Sequence, residues 1–505
     1  MNILAPIIIA AYVATMGGLA LFGLHRLWLV ALHLRRGPVR ECVPALEKLP
    51  VVTVQLPVYN ERFVVRRLID AVAALDYPWD HLQVQILDDS SDETVGIADA
   101  AVDHWRARGL DIQHLQRGER VGFKAGALEH GLRLARGELI AIFDADFVPA
   151  PDFLRRCVDD FADPQVGMVQ GRWQHLNPRA SALTSVQALM LDGHFLVEHV
   201  SRFRHGRFFN FNGTAGVFRR TCIESAGGWQ HDTLTEDLDL SYRAQLAGWR
   251  FVFRPEATAA AELPSQITAF KAQQFRWAKG SIQTARKLLG RILREPMARA
   301  TRIEAGLHLL NNGAYLLMAV LALLLPVAVA LRLALGSTTM LAVDLVLLVL
   351  GSGGVSLYFL RAAQASGAGW WRRILALPLL FVIGAGLSVN NARAVIEALI
   401  GHDSPFLRTP KLAAIGAQDE PARSRHSGYR ASLAWTVWLE LVLALYYGVA
   451  LVTAAQREAW WSLPWLALFF CGFAVVGVTS VLEVLNFSRL PRATVETAPC
   501  APHFY

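Results

Sequence analysis

Two aspartates separated by one small residue, Asp144 and Asp146, follow directly on the apolar run Leu139-Ile140-Ala141-Ile142-Phe143. That run reads as a buried strand with the carboxylates at its C-terminal end, where open α/β sheets place their ligands. Carboxylates at i and i+2 can face one hard cation, Mg²⁺ or Mn²⁺, and leave coordination sites for phosphate oxygens. A solvated turn gives the same tripeptide, so the neighbouring motifs decide. Asp88 and Asp89 end a second apolar run, Val84-Gln85-Ile86-Leu87. Ionised, they are acceptor-only groups able to take hydrogen bonds from a base or ribose; Ser90, Ser91 and Asp92 after them suit helix capping. Lys124 opens a helical pattern after Gly122, where amide donors and the helix dipole favour phosphate, although a plain surface lysine would look alike. Thr235-Glu236-Asp237 begins another helix with Thr235 as N-cap. The dipole and nearby amides are expected to keep Asp237 ionised, and they also make acids in a first turn commonplace. Gln273 and Trp277, with Arg276 between, share a helical face that could hold a sugar by stacking and hydrogen bonding. As a whole, that helix also reads as a basic interfacial one with its tryptophan at the headgroup boundary.

The elements that position these residues alternate. Strand patterns at 51–56, 84–87 and 112–115 are interleaved with helical patterns at 62–75, 94–108 and 124–135. Such alternation predicts a mostly parallel, doubly wound sheet with functional residues at strand C-termini. Around this insert the chain is apolar: 53% of its 505 residues are hydrophobic and 18% charged. Full spans are expected at 3–30, 313–335, 340–360, 433–454 and 461–482. The segment 374–389 is short for a span, contains Pro378, Gly384 and Gly386, and has Arg372, Arg373 and Arg393 around it. Basic residues on both sides favour two cytoplasmic ends, so it is expected to be interfacial or re-entrant. Basic residues after the first span place the insert in the cytoplasm. The expected division is 1–34 (first span), 49–293 (catalytic domain), 305–411 (spans, interfacial segment and a gating-like loop), 412–486 (last spans) and 487–505 (tail). The net charge of +7 suits anionic membrane lipid and phosphate-bearing substrates. No basic run interleaved with aromatics argues for nucleic acid. Five scattered cysteines without a C-x-x-C pair suit reduced, structural thiols. A transporter or receptor is disfavoured, because the spans hold few ionisable residues, notably Asp344, Glu440 and Glu483, and show no broken-helix repeats.

Nine motifs in order carry a resemblance to the membrane-bound family 2 glycosyltransferases of the cellulose synthase superfamily. Within it they resemble the cellulose-synthase-like A group, the glucomannan 4-β-mannosyltransferases. They are Gln55-Leu56-Pro57-Val58-Tyr59-Asn60-Glu61, Gln85-Ile86-Leu87-Asp88-Asp89-Ser90, Gly122-Phe123-Lys124-Ala125-Gly126-Ala127-Leu128 and Ile142-Phe143-Asp144-Ala145-Asp146-Phe147. Asp192-Gly193-His194-Phe195, Phe211-Asn212-Gly213-Thr214-Ala215-Gly216, Glu224-Ser225-Ala226-Gly227-Gly228-Trp229, Thr235-Glu236-Asp237 and Gln273-x-x-Arg276-Trp277 complete them. The resemblance implies a GT-A type, Rossmann-like α/β domain with a mostly parallel sheet, joined to an α-helical transmembrane bundle. It implies an inverting transfer from a nucleotide-sugar donor, UDP-glucose or GDP-mannose, to a growing β-linked glycan that passes through the membrane. Transfer of a single sugar to a lipid acceptor is the alternative. Residue by residue, Tyr59, Glu61 and Asp89, with Asp88 beside them, match base and ribose contacts, and Lys124 matches a diphosphate-side lysine. Asp144 and Asp146 match the metal and diphosphate pair. Asp237 matches the general base, with Thr235 and Glu236 in its motif. Gln273, Arg276 and Trp277 match residues around the acceptor end and diphosphate, and His194, Asn212 and Gly213 match the acceptor path. Phe406-Leu407-Arg408-Thr409-Pro410-Lys411 resembles the gating loop F-x-V-T-x-K, with Arg408 in place of valine and Thr409 and Lys411 as candidate contacts. The implied setting is a bacterial inner membrane with the catalytic domain cytoplasmic. The short tail implies none of the cyclic-dinucleotide-binding barrel that some bacterial cellulose synthases append.

Overall fold

A computed structural model of the chain describes residues 4–35, 46–335, 339–367, 369–402 and 434–488. Thr409, Lys411 and the gating-like loop lie outside the described residues.

Among the described residues eight strands form one sheet: β1 (Val52–Val58), β2 (Leu82–Asp88), β3 (Asp111–Gln116), β4 (Leu139–Ile142), β5 (Val148–Pro149), β6 (Val166–His175), β7 (Gly216–Arg219) and β8 (Arg250–Ala261), in the order β3-β2-β1-β4-β7-β6-β8-β5. The first four are mutually parallel. Beyond β4 the sheet turns mixed: β7 runs antiparallel to both its neighbours and β5 antiparallel to β8, while β6 and β8 are parallel. The expected mostly parallel sheet therefore holds for its first half. β6 to β8 are brought together by pairings over long sequence separations, which local periodicity does not reveal.

Central strands β1 and β2 are apolar on both faces except for a polar seam in register. Thr53 Oγ1 donates to Gln83 Oε1 at 2.8 Å and Gln55 Nε2 to Gln85 Oε1 at 3.0 Å, so these buried amides are partly satisfied across the ladder. The Phe123–Leu134 helix packs on this seam through Gly131, where a methyl would sit 2.6 Å from Gln55 Nε2. That close approach sets the depth at which Lys124 reaches the strand ends.

Among the described residues, six helices are long and apolar enough to cross a membrane, one more than expected: Leu4–Leu34, Gly313–Ala334, Ala342–Ala365, Trp370–Ile400, Trp435–Gln456 and Trp460–Asn486. The addition is the 374–389 segment, which continues past Val389 as the helix Leu377–Ile400. Small residues let backbones touch in the bundle: methyls on Gly23 and Gly354 would meet each other's helix backbone at 2.2 Å, and one on Gly386 would meet Gly472 O at 2.3 Å. The extra helix also lies along the catalytic domain. Arg373 at its start pairs with Asp192, Leu380 and Leu387 pack with Val186 and Leu189, and Glu397 near its end takes Lys279 Nζ at 2.8 Å.

Each acid singled out in the apolar spans is paired. Glu440 is buried and holds Lys271 Nζ at 2.7 and 2.8 Å. Glu483 accepts from the Ile267 and Thr268 amides at 2.7 and 3.0 Å and so caps the Ile267–Arg294 helix, and Asp344 pairs with Arg332. Cys157 and Cys222 are buried free thiols and Cys471 an exposed one.

Candidate active site

The C-terminal ends of β1, β2 and β4 open into one cleft of about 240 Å³. Tyr59, Glu61, Asp89, Lys124, Asp144, Asp146, Asn212, Gly213, Thr235, Glu236, Asp237, Gln273, Arg276 and Trp277 all line it. Asp88 and His194 lie behind the wall. Asp88 is buried, with His114 Nε2 at 2.9 Å and the Ser90 amide at 2.8 Å. Burial pushes its carboxyl up, but these hydrogen bonds more than offset that and hold it below the usual range. Asp88 thus shapes the strand end and Asp89 faces the ligand space. Ser90 accepts from the Asn60 amide at 2.8 Å and so braces the loop bearing Tyr59 and Glu61, where Asn60 itself has a φ of 54°.

Asp144 and Lys124 meet at the end of β4. Lys124 Nζ donates to Asp144 Oδ1 at 2.5 Å and to the Gly213 carbonyl at 2.7 Å. Burial disfavours the ammonium, yet Asp144 and then Glu236 outweigh it and hold its pKa above the usual lysine value. The lysine is charged. It would stay so when a diphosphate competes for it.

Gly213 has a φ of +80°, and a methyl there would lie 3.1 Å from Asp237 Oδ2 and 3.4 Å from Lys124 Nζ. Asp237 therefore faces the Lys124–Asp144 pair across a glycine. Its own helix is Glu236–Leu246 with Thr235 at the N-cap, but the Thr235 side chain makes no capping bond. Instead the threonine packs on Gly280 of the Ile267–Arg294 helix, where a methyl would come within 2.5 Å of its Oγ1. The Leu234 amide donates to Gln283 Oε1 of the same helix at 2.9 Å. The helix carrying Gln273, Arg276 and Trp277 thus seats the turn carrying Asp237.

Asp237 departs from the expectation of an ionised carboxylate. Withdrawal from water, and then the neighbouring Glu236, push its pKa up to about 7, more than Lys124 and the Leu238 amide can pull it down. Glu236 is raised as well, chiefly by burial. The dipole argument fails because two carboxylates share one poorly hydrated turn. Asp239 is excluded from the cleft, being fully buried with Arg243 Nε at 2.8 Å and Lys287 Nζ at 2.9 Å.

Several residues at the site carry no motif in the sequence. Arg120 lines the cleft and lies 3.4 Å from the Tyr59 ring centroid, and Arg117 behind it grips Asp89 with Nε at 2.9 Å and Nη2 at 2.5 Å. Arg117 follows directly on β3 and Arg120 stands in the same loop, so a strand C-terminus was the available signal. Trp173 and His175 on β6 and Glu262 after β8 also line the cleft, and only the long-range sheet pairing puts them there.

Asp144 and Asp146 suit a divalent cation. They are hard oxygen donors at one strand end, with Asp146 5% exposed and both lining the cleft. Among the described residues no third His, Cys, Asp or Glu joins them, so a cation there would draw further ligands from a substrate or water.

Residues 50–280 match the family model described as "Glycosyltransferase like family 2". The chain is 42% identical over 255 residues to glucomannan 4-beta-mannosyltransferase 2 of Arabidopsis thaliana, a stretch covering 50% of this chain and 48% of that protein. It is 40% identical over 268 residues to glucomannan 4-beta-mannosyltransferase 1 of Oryza sativa subsp. japonica, covering 52% and 51%. The match thus spans about half the length of these curated relatives. Among solved structures, the mannosyltransferase PcManGT from Pyrobaculum calidifontis, in complex with GDP-Man and Mn²⁺, superposes with a TM-score of 0.50 at 24% identity, covering 79% of this chain and 100% of that one. That likeness speaks for the fold. Sheet, motifs and match agree that residues 50–280 form a family 2 glycosyltransferase domain of GT-A type, borne on a chain with apolar, membrane-type helices.

Proposed function

We propose that the protein is an inverting membrane glycosyltransferase that extends a β-linked polysaccharide of the glucan, mannan or glucomannan class from a nucleotide-sugar donor. The observation that carries this reading is the placement of Asp237 opposite Lys124, Asp144 and Asp146 across one cleft. A diphosphate seated by Lys124 and Arg276 would leave its sugar between those groups and the Asp237 carboxylate. The acceptor hydroxyl attacks the anomeric carbon in line, the carbon–phosphate oxygen bond breaks, and Asp237 takes the hydroxyl proton. An α-linked donor then gives a β-linkage with no covalent sugar intermediate. Asp144 and Asp146 would hold Mg²⁺ or Mn²⁺, which would neutralise charge on the leaving diphosphate. Tyr59, Glu61 and Asp89 would receive the base and ribose, and Gln273 and Trp277 the acceptor end. The relatives' names favour a mannosyl donor and a glucomannan acceptor. They are plant enzymes, so a bacterial inner membrane draws no support from them; a domain facing the cytoplasm is supported by the basic residues after the first helix.

The test is incubation of membranes carrying the full chain with radiolabelled GDP-mannose or UDP-glucose, with and without EDTA. Label should enter an insoluble polymer from at least one donor, and chelator should abolish incorporation. Label confined to a lipid extract would replace the polymer reading with lipid glycosylation, and full turnover in excess EDTA would remove the metal assignment.

A further inference from the structure

Behind the cleft floor runs a chain of polar side chains, half-buried at Asn212 and His194 and buried at Glu198, Arg202 and Glu304, that neither donor binding nor proton abstraction uses. Asn212, on the cleft wall, donates from Nδ2 to His194 Nε2 at 2.9 Å, and its Oδ1 accepts from Asn210 Nδ2 at 2.8 Å. The other ring nitrogen, His194 Nδ1, lies 3.3 Å from Glu198 Oε2. Glu198 is held in turn by Arg202 Nη1 at 3.1 Å, by the Tyr358 hydroxyl at 3.0 Å and by an ion pair with Arg26. Arg202 reaches on to Glu304 at 3.1 Å, which also meets His25 Nε2 at 3.0 Å. Arg26 and His25 belong to the first apolar helix, Leu4–Leu34, and Tyr358 to the apolar helix Gly354–Ala365. His194 and Glu198 sit in a wide π-helical turn, His194–His199, a distortion that occurs often at functional sites.

Arg26 and Arg202 beside Glu198 favour its ionised form, and with that charge the protons in this chain have one consistent arrangement. An ionised carboxylate only accepts, so Glu198 requires the His194 proton on Nδ1. His194 Nε2 is then a lone pair and takes the Asn212 N–H, while Asn210 takes the other end of the same amide. Burial and then Arg202 push the His194 pKa down to about 3, consistent with a neutral ring. The Asn212 amide is thereby locked in one orientation at the cleft. Two arginines, Arg26 and Arg202, balance the two buried carboxylates, Glu198 and Glu304, and a buried carboxylate stripped of such partners is strongly unfavourable.

Asn212 lines the cleft next to Gly213, which abuts the Asp237 carboxylate that would face the acceptor hydroxyl. We propose from this that Glu198 is a positioning residue for the acceptor sugar, acting through His194 on the Asn212 amide, and that Arg26 of the first membrane helix holds Glu198 in place. The proposal rests on the glycosyl-transfer reading of the cleft. It makes the first helix part of the acceptor side as well as an anchor.

The experiment uses the full chain in nanodiscs with Glu198→Gln, Arg26→Ala, Arg26→Lys and Tyr358→Phe. It reads affinity for GDP and UDP, and acceptor KM with β-linked mannooligosaccharides at saturating donor. Loss of a hydrogen bond to a charged group corresponds to roughly 10- to 100-fold, so Glu198→Gln and Arg26→Ala should raise acceptor KM by about that factor. Nucleotide affinity should be unchanged, Arg26→Lys should restore most of the loss, and Tyr358→Phe should raise KM by a smaller factor. Tyr358→Phe keeps the ring on which Arg26 stacks, 4.7 Å away, so it and Arg26→Lys decide the matter if Glu198→Gln does not fold. Acceptor KM and nucleotide affinity worsening together, or KM unmoved in every folded variant, would overturn the inference alone. A wild-type chain inert with both donors would overturn the proposed function and this inference with it.

Discussion

Asp237 is acidic, close to Lys124, and still half-protonated near neutrality, because burial and Glu236 outweigh the lysine. That combination sets a pH dependence. A base must be deprotonated to act, so transfer should rise with pH through about 7 and level off above it. Asp237→Asn keeps shape while removing the base, and should lower the rate by ~10²–10⁴-fold and flatten this limb. Nucleotide affinity should survive, since Tyr59, Glu61, Asp89 and Lys124 are untouched. Near-normal turnover would remove Asp237 from the role, and lost nucleotide binding would give it a structural one instead. At this scale the sequence is informative about which residues matter and poor about their state. Asp144, Asp146, Lys124 and Asp237 are visible in motifs, but the shared desolvation of Glu236 and Asp237 depends on the helix that covers them. Asp88, grouped with Asp89 by sequence, is separated from it by the strand pleat and by His114.

The helix Ile267–Arg294 is the element that joins the two halves of the site, because it carries Arg276 and Trp277 and seats Thr235 on Gly280. Gly280→Ala separates its two roles. Alanine improves helix propensity by about 1 kcal/mol, while a methyl 2.5 Å from Thr235 overpacks the contact, typically by about 1–3 kcal/mol. Net stability should shift little, but the Asp237 turn must move, and a 1 Å misplacement can lower a rate by ~10²-fold. A melting curve near wild type with kcat reduced at least tenfold is expected; wild-type kcat would show that the contact does not set Asp237. Local pattern locates this helix and the strands β1 to β3 closely, since each has its own period and punctuation. It says nothing of β5 to β8, whose order depends on partners far along the chain, and so it hides Trp173, His175 and Glu262 from the site.

For the whole molecule, charge and length pull apart at one helix. Leu377–Ile400 has the length of a span, yet Arg373 before it and Glu397 within its last turn both bind groups of the catalytic domain or its following helix. A helix tied at both ends to the same side lies along the membrane surface more readily than through it. Single cysteines at Arg372 and His402 should therefore be labelled from the same side, the cytoplasmic one, and labelling from opposite faces would establish a sixth crossing. The sequence shows the charges but ends the segment at Val389, because Asn390, Asn391 and Arg393 break its apolar run; in the structure the helix runs on through them, and the buried Asn390 amide is satisfied by donating to the Lys271 carbonyl of the Ile267–Arg294 helix at 3.0 Å. The cleft between this platform and the sheet end is read as a single-displacement site, and the anomeric configuration of the product tests that most directly. With α-linked GDP-mannose or UDP-glucose, NMR of the first sugar added to a defined oligosaccharide should show a β-linkage. An α-linkage would contradict inversion by Asp237 and with it the account of the site.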